Sequence, residues 1–399
     1  MKIAFLLRPW PVFGGGETVT LSLANEFVKR GHEVFVLYIE KTERTNMPYI
    51  NPAIRSILVP NIHFDIKTTY SFNKEECVRA RRFLLDFVRN EKINIVINQW
   101  WPIDAVLELN KYTNVIKCYH MQVFIRAKYS TLKWYGRDLF KKLLGKRLYF
   151  SLHQYSISRQ IQAFIPHVDK FVFLAPIFQQ EYLDYLGNKA DKSKFDYCYN
   201  PLTFSEFATA EDVKQKDDIV LFVGRMYDSH KNMTGLLRIW REIEKCESLS
   251  SWKFVMVGDG ADLQYIKEYA AKLKLNRVTF VGQQNPQKYF KEAKIFVMAS
   301  PNEGWGMTLV EAQQNGCVPI AMDTFSSLHN IITDKENGII VPMNDYEQYV
   351  NRLKVLMSDD NTRIYYAKNG IQTCRRFTIE NVCNRWEQIF NKLLDRDNG

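Results

Sequence analysis

Two carboxylates eight positions apart, Glu303 and Glu311, have the spacing in this chain that most directly suggests chemistry. The turn Gly304-Trp305-Gly306 lies between them, and the apolar run after it predicts a helix that ends at Gly316. The start of such a helix is an anion site, because its first backbone N–H groups have no partner within the helix. The groups that would face a bound phosphate belong to Gly306, Met307 and Thr308.

A pair of cations has a similar setting farther back in the chain. Gly224 and Arg225 follow an apolar strand pattern, and Lys231 follows them before a predicted helix. Arginine binds phosphate oxygens through a planar fork, whereas lysine acts as a point charge. Their joint position after a strand favours binding of an anion. The alternative is solvated surface charge, just as the two glutamates alone would fit an ordinary βα turn.

Repeated strand and helix patterns would position these residues. Strands predicted in the second half are each followed by a glycine-bearing loop, which includes Gly258 after one strand and Gly282 after another. This alternation predicts a doubly wound parallel sheet with the loops along one edge. Asp212–Asp218, just before this series, is expected to be a charged linker. The predicted strands are 219–223, 253–257, 278–281, 294–298 and 318–322.

The first half of the chain begins with another βαβ pattern. Strand Lys2–Leu7 leads into a loop, Arg8–Gly16, and then into a predicted helix, Glu17–Arg30. Ile93–Asn98 and Val115–Tyr119 read as further strands. His120 stands at the end of the last strand, where ligands of such sheets bind, although a packed histidine is the commoner situation.

Bulk properties indicate the class of protein. A chain of 399 residues predicts two domains, and 46% hydrophobic with 25% charged residues is typical of globular proteins. No apolar run is long enough to span a bilayer, and MKIAFLLRPWP reads as a first strand rather than a signal peptide. Seven scattered cysteines without a C-x-x-C pair predict reduced thiols, no zinc site and a cytoplasmic location.

The net charge of +10 is concentrated in one region. Between Lys111 and Lys170 there are twelve Lys or Arg residues and two acids, so the rest of the chain is balanced. In residues 124–164 these cations interleave with aromatic side chains. The pattern suits peripheral contact with an anionic membrane surface, and equally an ordinary amphipathic helix. No recognisable nucleic-acid-binding module is present, so nucleic acid is not expected as a partner.

Taken together, these motifs resemble the retaining, nucleotide-sugar-dependent glycosyltransferases of family 4 (glycosyl transferases group 1) over nearly the whole chain. The resemblance implies the GT-B fold, in which two Rossmann-like doubly wound domains face each other across a cleft. Residues 1–200 would bind the acceptor and 201–377 the donor, with a terminal helix in 378–399 packing back on the first domain. The motifs that carry the resemblance are Gly14-Gly15-Gly16-Glu17, Arg30–Val34, Gly224-Arg225, Lys231-Asn232, Gly258-Asp259-Gly260, Glu303 and Glu311.

The resemblance also implies a role for each matching residue. Arg225 and Lys231 would bind the donor diphosphate, Glu311 the ribose diol, and Glu303 the hydroxyls of the donor sugar. Backbone from Gly304 to Thr308 would line the diphosphate. Other positions implied in the site are Gly15, Gly16, His120, Gly224, Gly258, Gly282, Ser300 and Trp305.

The implied reaction moves a sugar from a nucleotide-diphosphate sugar, UDP or GDP, to a glycan or lipid-linked acceptor in cell-surface polysaccharide synthesis. Two cations and a helix N-terminus can stabilise the leaving diphosphate, so we expect no metal or other cofactor. The chain departs from the family at Ser326-Ser327 and Asn330, where a glycine pair and a later acid are usual. Two alternatives stay open: a non-catalytic nucleotide-sugar or glycan binder, and another GT-B enzyme such as a nucleotide-sugar epimerase.

Overall fold

The computed structural model of the chain describes residues 1–11, 15–41, 49–62, 74–119, 151–152, 155, 158–159, 161–187, 190–301 and 303–395. These residues form two compact units. The first unit is drawn from Met1–Phe124, Ser151–Thr203 and Phe377–Gly399, and the second from Phe204–Arg376.

The first unit is built on a seven-stranded parallel sheet in the order β5-β3-β1-β6-β7-β8-β9, and β2 pairs separately with β4. Its strands are β1 (Lys2–Leu6), β2 (Pro9–Trp10), β3 (Glu33–Tyr38), β4 (Glu40–Lys41), β5 (Arg55–Leu58), β6 (Ile95–Asn98), β7 (Asn114–Tyr119), β8 (Lys170–Phe173) and β9 (Phe195–Tyr197). Its first helices are α1 (Gly15–Lys29), α2 (Lys74–Glu91), α3 (Ile103–Val106) and α4 (Pro176–Leu186), with 3-10 turns at Leu109–Lys111, Ile165–His167 and Lys192–Lys194.

The second unit contains a six-stranded parallel sheet in the order β12-β11-β10-β13-β14-β15. Its strands are β10 (Asp217–Val223), β11 (Lys253–Val257), β12 (Val278–Gly282), β13 (Ala293–Met298), β14 (Val318–Met322) and β15 (Ile339–Val341). Its helices are α5 (Ala210–Lys214), α6 (Asp228–Lys231), α7 (Met233–Glu244), α8 (Leu263–Lys272), α9 (Pro286–Glu292), α10 (Met307–Gln314), α11 (Tyr346–Ser358) and α12 (Asp360–Cys374), with 3-10 turns at Glu247–Leu249, Ser326–Asn330 and Arg375–Phe377.

The terminal helix α13 (Ile379–Leu394) packs within the first unit. The ring of its Phe390 lies 5.6 Å from that of Phe27 on α1. A polar cluster closes the edge of this contact, because Glu387 accepts hydrogen bonds from Arg30 at 2.8 Å and lies 2.9 Å from His32 Nε2. The helix is therefore joined to the first sheet by both apolar packing and charge.

The strands confirm the predicted α/β class with doubly wound parallel sheets. Central strands such as β6 and β14 are buried along their whole length, because helices cover both faces of each sheet. Such strands read as continuous apolar runs, which is why the pattern found them. β11 and β14 begin and end at the predicted residues, and the other strands given above as predictions differ by one or two residues, whereas short strands such as β2, β4, β5, β9 and β15 were not predicted.

The linker predicted over Asp212–Asp218 is wrong. Thr209 and Asp212 form a capping box that starts helix α5, and strand β10 begins at Asp217. The charges of this stretch have partners in the folded unit, since Asp218 pairs with Lys294 at 2.5 Å. Buried Lys216 donates hydrogen bonds to the carbonyls of Phe290 and Lys291. The charge pattern therefore reflected paired surface groups and not a free linker.

The loop predicted over Arg8–Gly16 is also shorter than expected, because Pro9–Trp10 forms a short strand and α1 starts at Gly15. The basic, aromatic segment 124–164 falls mostly outside the described residues, so its role stays a prediction. Among the helices that the structure describes, none combines the length and apolar character needed to cross a bilayer.

Candidate active site

The candidate site of the second unit lies at the carboxyl edge of its sheet, where the strand order changes direction. From β10 the chain adds β11 and β12 on one side, then returns to place β13, β14 and β15 on the other. Ligands of doubly wound sheets bind at such a switch point. Here it lies between Gly224-Arg225, which follow β10, and Ser300–Gly306, which follow β13.

Glycines allow three turns to pack tightly along this edge. Gly224 N–H donates to the Val257 carbonyl at 3.0 Å, and Gly258 N–H donates to the Gly282 carbonyl at 2.8 Å. Gly258 has φ +137°, and a Cβ atom there would lie 1.9 Å from the Gly224 carbonyl oxygen. The turn that carries Arg225 is thus held against the backbone of its neighbours.

The structure joins Lys231 to Glu303 across the switch point. The Lys231 ammonium, at the end of α6, hydrogen-bonds to Glu303 Oε1. Their side chains are only 22% and 15% exposed, so the pair is largely shielded from water. The carboxylate fixes the position of the Lys231 ammonium at the edge of the sheet and balances its charge until a ligand binds.

The residues around Lys231 hold its turn in place. Asn232 adopts the left-handed conformation with φ +53° between α6 and α7, a conformation that asparagine tolerates better than most residues. Its amide donates to the Ala299 carbonyl at 3.3 Å and to the Tyr346 hydroxyl at 3.1 Å. At the other end of α6, Asp228 accepts hydrogen bonds from the backbone and hydroxyl of Thr234, both at 2.8 Å.

The loop Ser300–Gly306, which carries Glu303 and is called the acidic loop below, leads directly into helix α10. Gly306 precedes the helix with φ +86°, a backbone conformation that side chains with Cβ rarely adopt. Met307 and Thr308 form the first turn, so their N–H groups belong to the open end of the helix. Glu311 is buried one turn later, at 7% exposure. Ser300 and Trp305 are also buried, at 1% and 3%.

Arg225 differs from Lys231 in its surroundings. Its side chain is exposed, and within the described residues it makes no ion pair or hydrogen bond. This edge therefore carries two cations, an exposed guanidinium and an ammonium that is held by a carboxylate. Such an arrangement can bind a diphosphate at the start of α10.

The first unit has its own switch point, between β1 and β6. Gly15 and Gly16 form the first turn of α1 there. A Cβ atom on Gly16 would lie 3.1 Å from the indole ring of Trp100, which follows β6. A side chain at position 16 would therefore be crowded by the Trp100 ring, which favours glycine there. His120 lies outside the described residues, so its implied role stays a prediction.

Sequence reasoning missed Trp100 and Thr324 as residues near these edges, and it singled out Ser327 only as a departure from the family pattern. Thr324 and Ser327 follow β14 and hydrogen-bond to the acidic loop. Their position directly after a predicted strand was a usable signal, since strand ends meet at the ligand edge. Within the described residues, no group of three His, Cys, Asp or Glu side chains is arranged to hold a metal ion.

Comparison with known proteins agrees with the α/β architecture of the two units. The family model described as Glycosyltransferase Family 4 matches residues 13–201, and the one described as Glycosyl transferases group 1 matches residues 204–373. The two matches together extend over most of the chain, and the second contains all six strands of the sheet in the second unit.

Individual relatives are distant. An N-acetyl-D-galactosaminyltransferase of Campylobacter jejuni, whose name gives an undecaprenol-diphosphate-linked saccharide as substrate, is 28% identical over 49% of this chain. The match covers 54% of that relative, so the chain spans about half its length. An uncharacterized glycosyltransferase of Haemophilus influenzae is 21% identical over 97% of this chain and 99% of its own.

Solved structures show the same fold. TarM of S. aureus, in complex with UDP and alpha-GlcNAc-glycerol, aligns with a TM-score of 0.70 at 14% identity. The alignment covers 98% of this chain and 99% of TarM. The two parallel sheets and these matches show that the chain belongs to the GT-B glycosyltransferases of group 1, family 4 type.

Proposed function

We propose that the chain transfers a sugar from a nucleotide-diphosphate sugar to a glycan or lipid-linked saccharide acceptor. The observation that carries the proposal is the charge arrangement at the switch point of the second unit. There the Lys231–Glu303 pair and Arg225 lie on the loops that follow the two adjacent strands β10 and β13, and α10 begins after the second of these loops.

Each side chain then has a defined part in the proposed reaction. Arg225 and Lys231 bind the diphosphate, and the N–H groups at the start of α10 face its oxygens. Glu303 uses one carboxylate oxygen to hold Lys231 and the other for a hydroxyl of the donor sugar. Buried Glu311 is the acceptor for the ribose diol. Preorganised charges of this kind stabilise a transition state because they need no reorientation as charge develops.

The proposed chemical step retains the anomeric configuration. The bond from C1 of the sugar to the diphosphate oxygen breaks, and a bond from C1 to the acceptor oxygen forms on the same face. The acceptor proton passes to the leaving diphosphate, and the nucleoside diphosphate is released. We assign no metal to this step, because the two cations and the helix N-terminus carry the charge compensation.

The donor nucleotide we propose is UDP, with GDP as the other candidate. Support for UDP comes from TarM, which shares the fold and was solved with UDP. Support for a lipid-linked acceptor comes from the substrate named for the Campylobacter relative. An acceptor of that kind would be met at the inner membrane face, where the basic segment 124–164 suits peripheral contact.

The test is release of nucleoside diphosphate by the full chain from UDP-, GDP-, ADP- and CDP-sugars, with and without polyprenol-diphosphate-linked saccharides. We expect acceptor-dependent release from one donor. Loss of one preorganised charge typically lowers kcat by about 10²–10³, so Arg225→Ala and Lys231→Ala should fall in that range. Arg241→Ala, which removes a cation near the far end of α7, is the matched control.

The same reaction mixtures separate the alternatives when the sugar product is analysed and donor binding is measured beside the release of nucleoside diphosphate. A changed sugar configuration without acceptor would indicate an epimerase, and binding without turnover would indicate a non-catalytic binder. An NMR time course that shows an inverted product would refute the retaining step. Wild-type activity in both Arg225→Ala and Lys231→Ala would refute the proposed site.

A further inference from the structure

The segment that follows β14 contains Thr324 and Ser327, and the hydroxyl groups of these two residues hydrogen-bond to the acidic loop. Thr324 Oγ1 donates a hydrogen bond to the Ser300 carbonyl at 2.6 Å. Ser327 Oγ donates to the Gly304 carbonyl at 3.1 Å. These two carbonyls lie on either side of Glu303 in the chain, so the loop is held before and after its carboxylate.

A third contact secures the loop where it enters α10. The ring of Phe325 lies beside Gly306, since a Cβ atom there would lie 3.4 Å from Phe325 Cζ. Thr324, Phe325 and Ser327 are all at most 2% exposed; the Thr324 hydrogen bond is buried and that of Ser327 is partly buried. A hydrogen bond without competition from water holds its partners more firmly than one at the surface.

Backbone hydrogen bonds hold this segment in place. Asp323 N–H donates to the Val341 carbonyl at 2.8 Å, which ties it to the end of β15. Ser327 lies in the 3-10 turn Ser326–Asn330, where Leu328 N–H bonds back to the Phe325 carbonyl. Displacement of the acidic loop relative to the sheet would therefore break its hydrogen bonds to a segment that is itself bonded to the sheet.

We propose that Thr324 and Ser327 are positioning residues that set Glu303 for its pairing with Lys231, and we call the two hydroxyls the hydroxyl clasp. Neither side chain touches the donor in this account. The clasp acts through the loop, because fixed carbonyls at Ser300 and Gly304 leave Glu303 little freedom. The kinetic part of this inference rests on the proposed function, whereas the ordering of the loop does not.

Small displacements at such a site have large kinetic effects. A misplacement of about 1 Å can lower a rate by about 10²-fold when the reacting groups need a defined geometry. Loss of one clasp hydrogen bond leaves the other in place, so we expect a several-fold effect from each single variant. Loss of both should approach the larger figure.

The test uses variants that change the hydroxyl and little else. Thr324→Val removes the hydroxyl at nearly constant shape, and Thr324→Ser keeps it. Ser327→Ala removes the second hydroxyl of the clasp. Ser251→Ala is the matched control, because its hydroxyl donates to Asp218 at the opposite edge of the sheet.

The first readout is hydrogen exchange of peptides that cover residues 300–309 in the full chain without donor. Thr324→Val and Ser327→Ala should exchange about tenfold faster there than the wild type. Thr324→Ser and Ser251→Ala should match the wild type. Equal exchange in Thr324→Val and Thr324→Ser would overturn the clasp, whether or not the chain binds a nucleotide sugar.

The second readout is kcat and KM for the donor. The hydroxyl-removing variants should lower kcat/KM several-fold, and the Thr324→Ser variant should restore it. Faster exchange with unchanged kcat and KM would show that the loop opens without consequence for Glu303, which would overturn the positioning role. Failure of the wild type to bind any donor would instead refute the proposed function, and the exchange readout would still decide the clasp.

Discussion

Gly258 gives the sharpest test of the packed glycine turns beneath Arg225. Its φ of +137° lies where L-residues are rarely found, and a Cβ atom would meet the Gly224 carbonyl oxygen at 1.9 Å. Because the obstacle is backbone, no rotamer change can relieve the collision. We expect about 1–3 kcal/mol of conformational strain in Gly258→Ala. Forced displacement of the Gly224 turn should add about 1–3 kcal/mol.

Gly282→Ala is the matched control on the neighbouring strand. Gly282 also has a positive φ, +71°, but a Cβ atom there would meet nothing within 4 Å. Its substitution should therefore cost only the left-handed backbone strain, about 1–2 kcal/mol. The difference between the two variants isolates the collision with Gly224.

Thermal unfolding of both variants measures that difference. In a domain of 150–250 residues, each kcal/mol lowers Tm by about 2–4 °C, so Gly258→Ala should melt several degrees below Gly282→Ala. Gly258→Ala should also weaken donor binding more, because the displaced turn carries Arg225. Equal melting temperatures in the two variants would refute the argument from close backbone approach.

Two further predictions concern charged groups in the two units. Burial acts to raise the pKa of Glu387, but hydrogen bonds from His32 and Arg30 outweigh it and lower that pKa. The stabilisation is present above the unfolded value of about 4.3 and is lost as pH falls through the folded pKa. Glu387→Gln should therefore lower the free energy of unfolding by about 1–2 kcal/mol at pH 7. In acid the unfolding curves of the variant and the wild type should converge. A difference in stability that stays constant with pH would contradict this prediction. In the second unit, burial lowers the pKa of Lys216 to about 8, so between pH 8 and 10 the unfolded chain binds more protons and stability rises with pH. The Tm of the wild type should therefore increase over this range relative to that of Lys216→Met. A Tm difference that does not change with pH would contradict the lowered pKa of Lys216.

Strands were the most predictable part of this fold. β14 is buried along its whole length and β11 from Phe254 onward, so their residues form apolar runs between turn residues. The stretch Asp212–Asp218 was misread because charge alone does not distinguish a linker from paired surface groups. Its helix and strand depend on tertiary partners such as Lys294, which lies far away in the sequence.

For the candidate site, the sequence predicted which strands its residues follow, but not the contacts between them. Lys231 and Glu303 each follow a predicted strand, which places both at the ligand edge. Their ion pair depends on β10 lying beside β13, and strand order cannot be read from local pattern. Thr324 was missed, and Ser327 was noted only as a departure from the family, for the same reason: hydroxyls become informative only once their backbone partners are known. The resemblance implied Gly16 as a site residue, and the structure adds its close approach to Trp100.

The most direct test of the central claim, a nucleotide-sugar site at the switch point of the second unit, is thermal unfolding with a panel of nucleotide sugars. The full chain would be melted with UDP-, GDP-, ADP- and CDP-sugars, beside Lys231→Ala and the control Arg241→Ala. A ligand at about a hundred times its Kd stabilises by about 2.7 kcal/mol, which is a clear shift in Tm. We predict a shift with one nucleotide, kept in Arg241→Ala and lost in Lys231→Ala. No shift with any donor, or an equal shift in Lys231→Ala, would contradict the account.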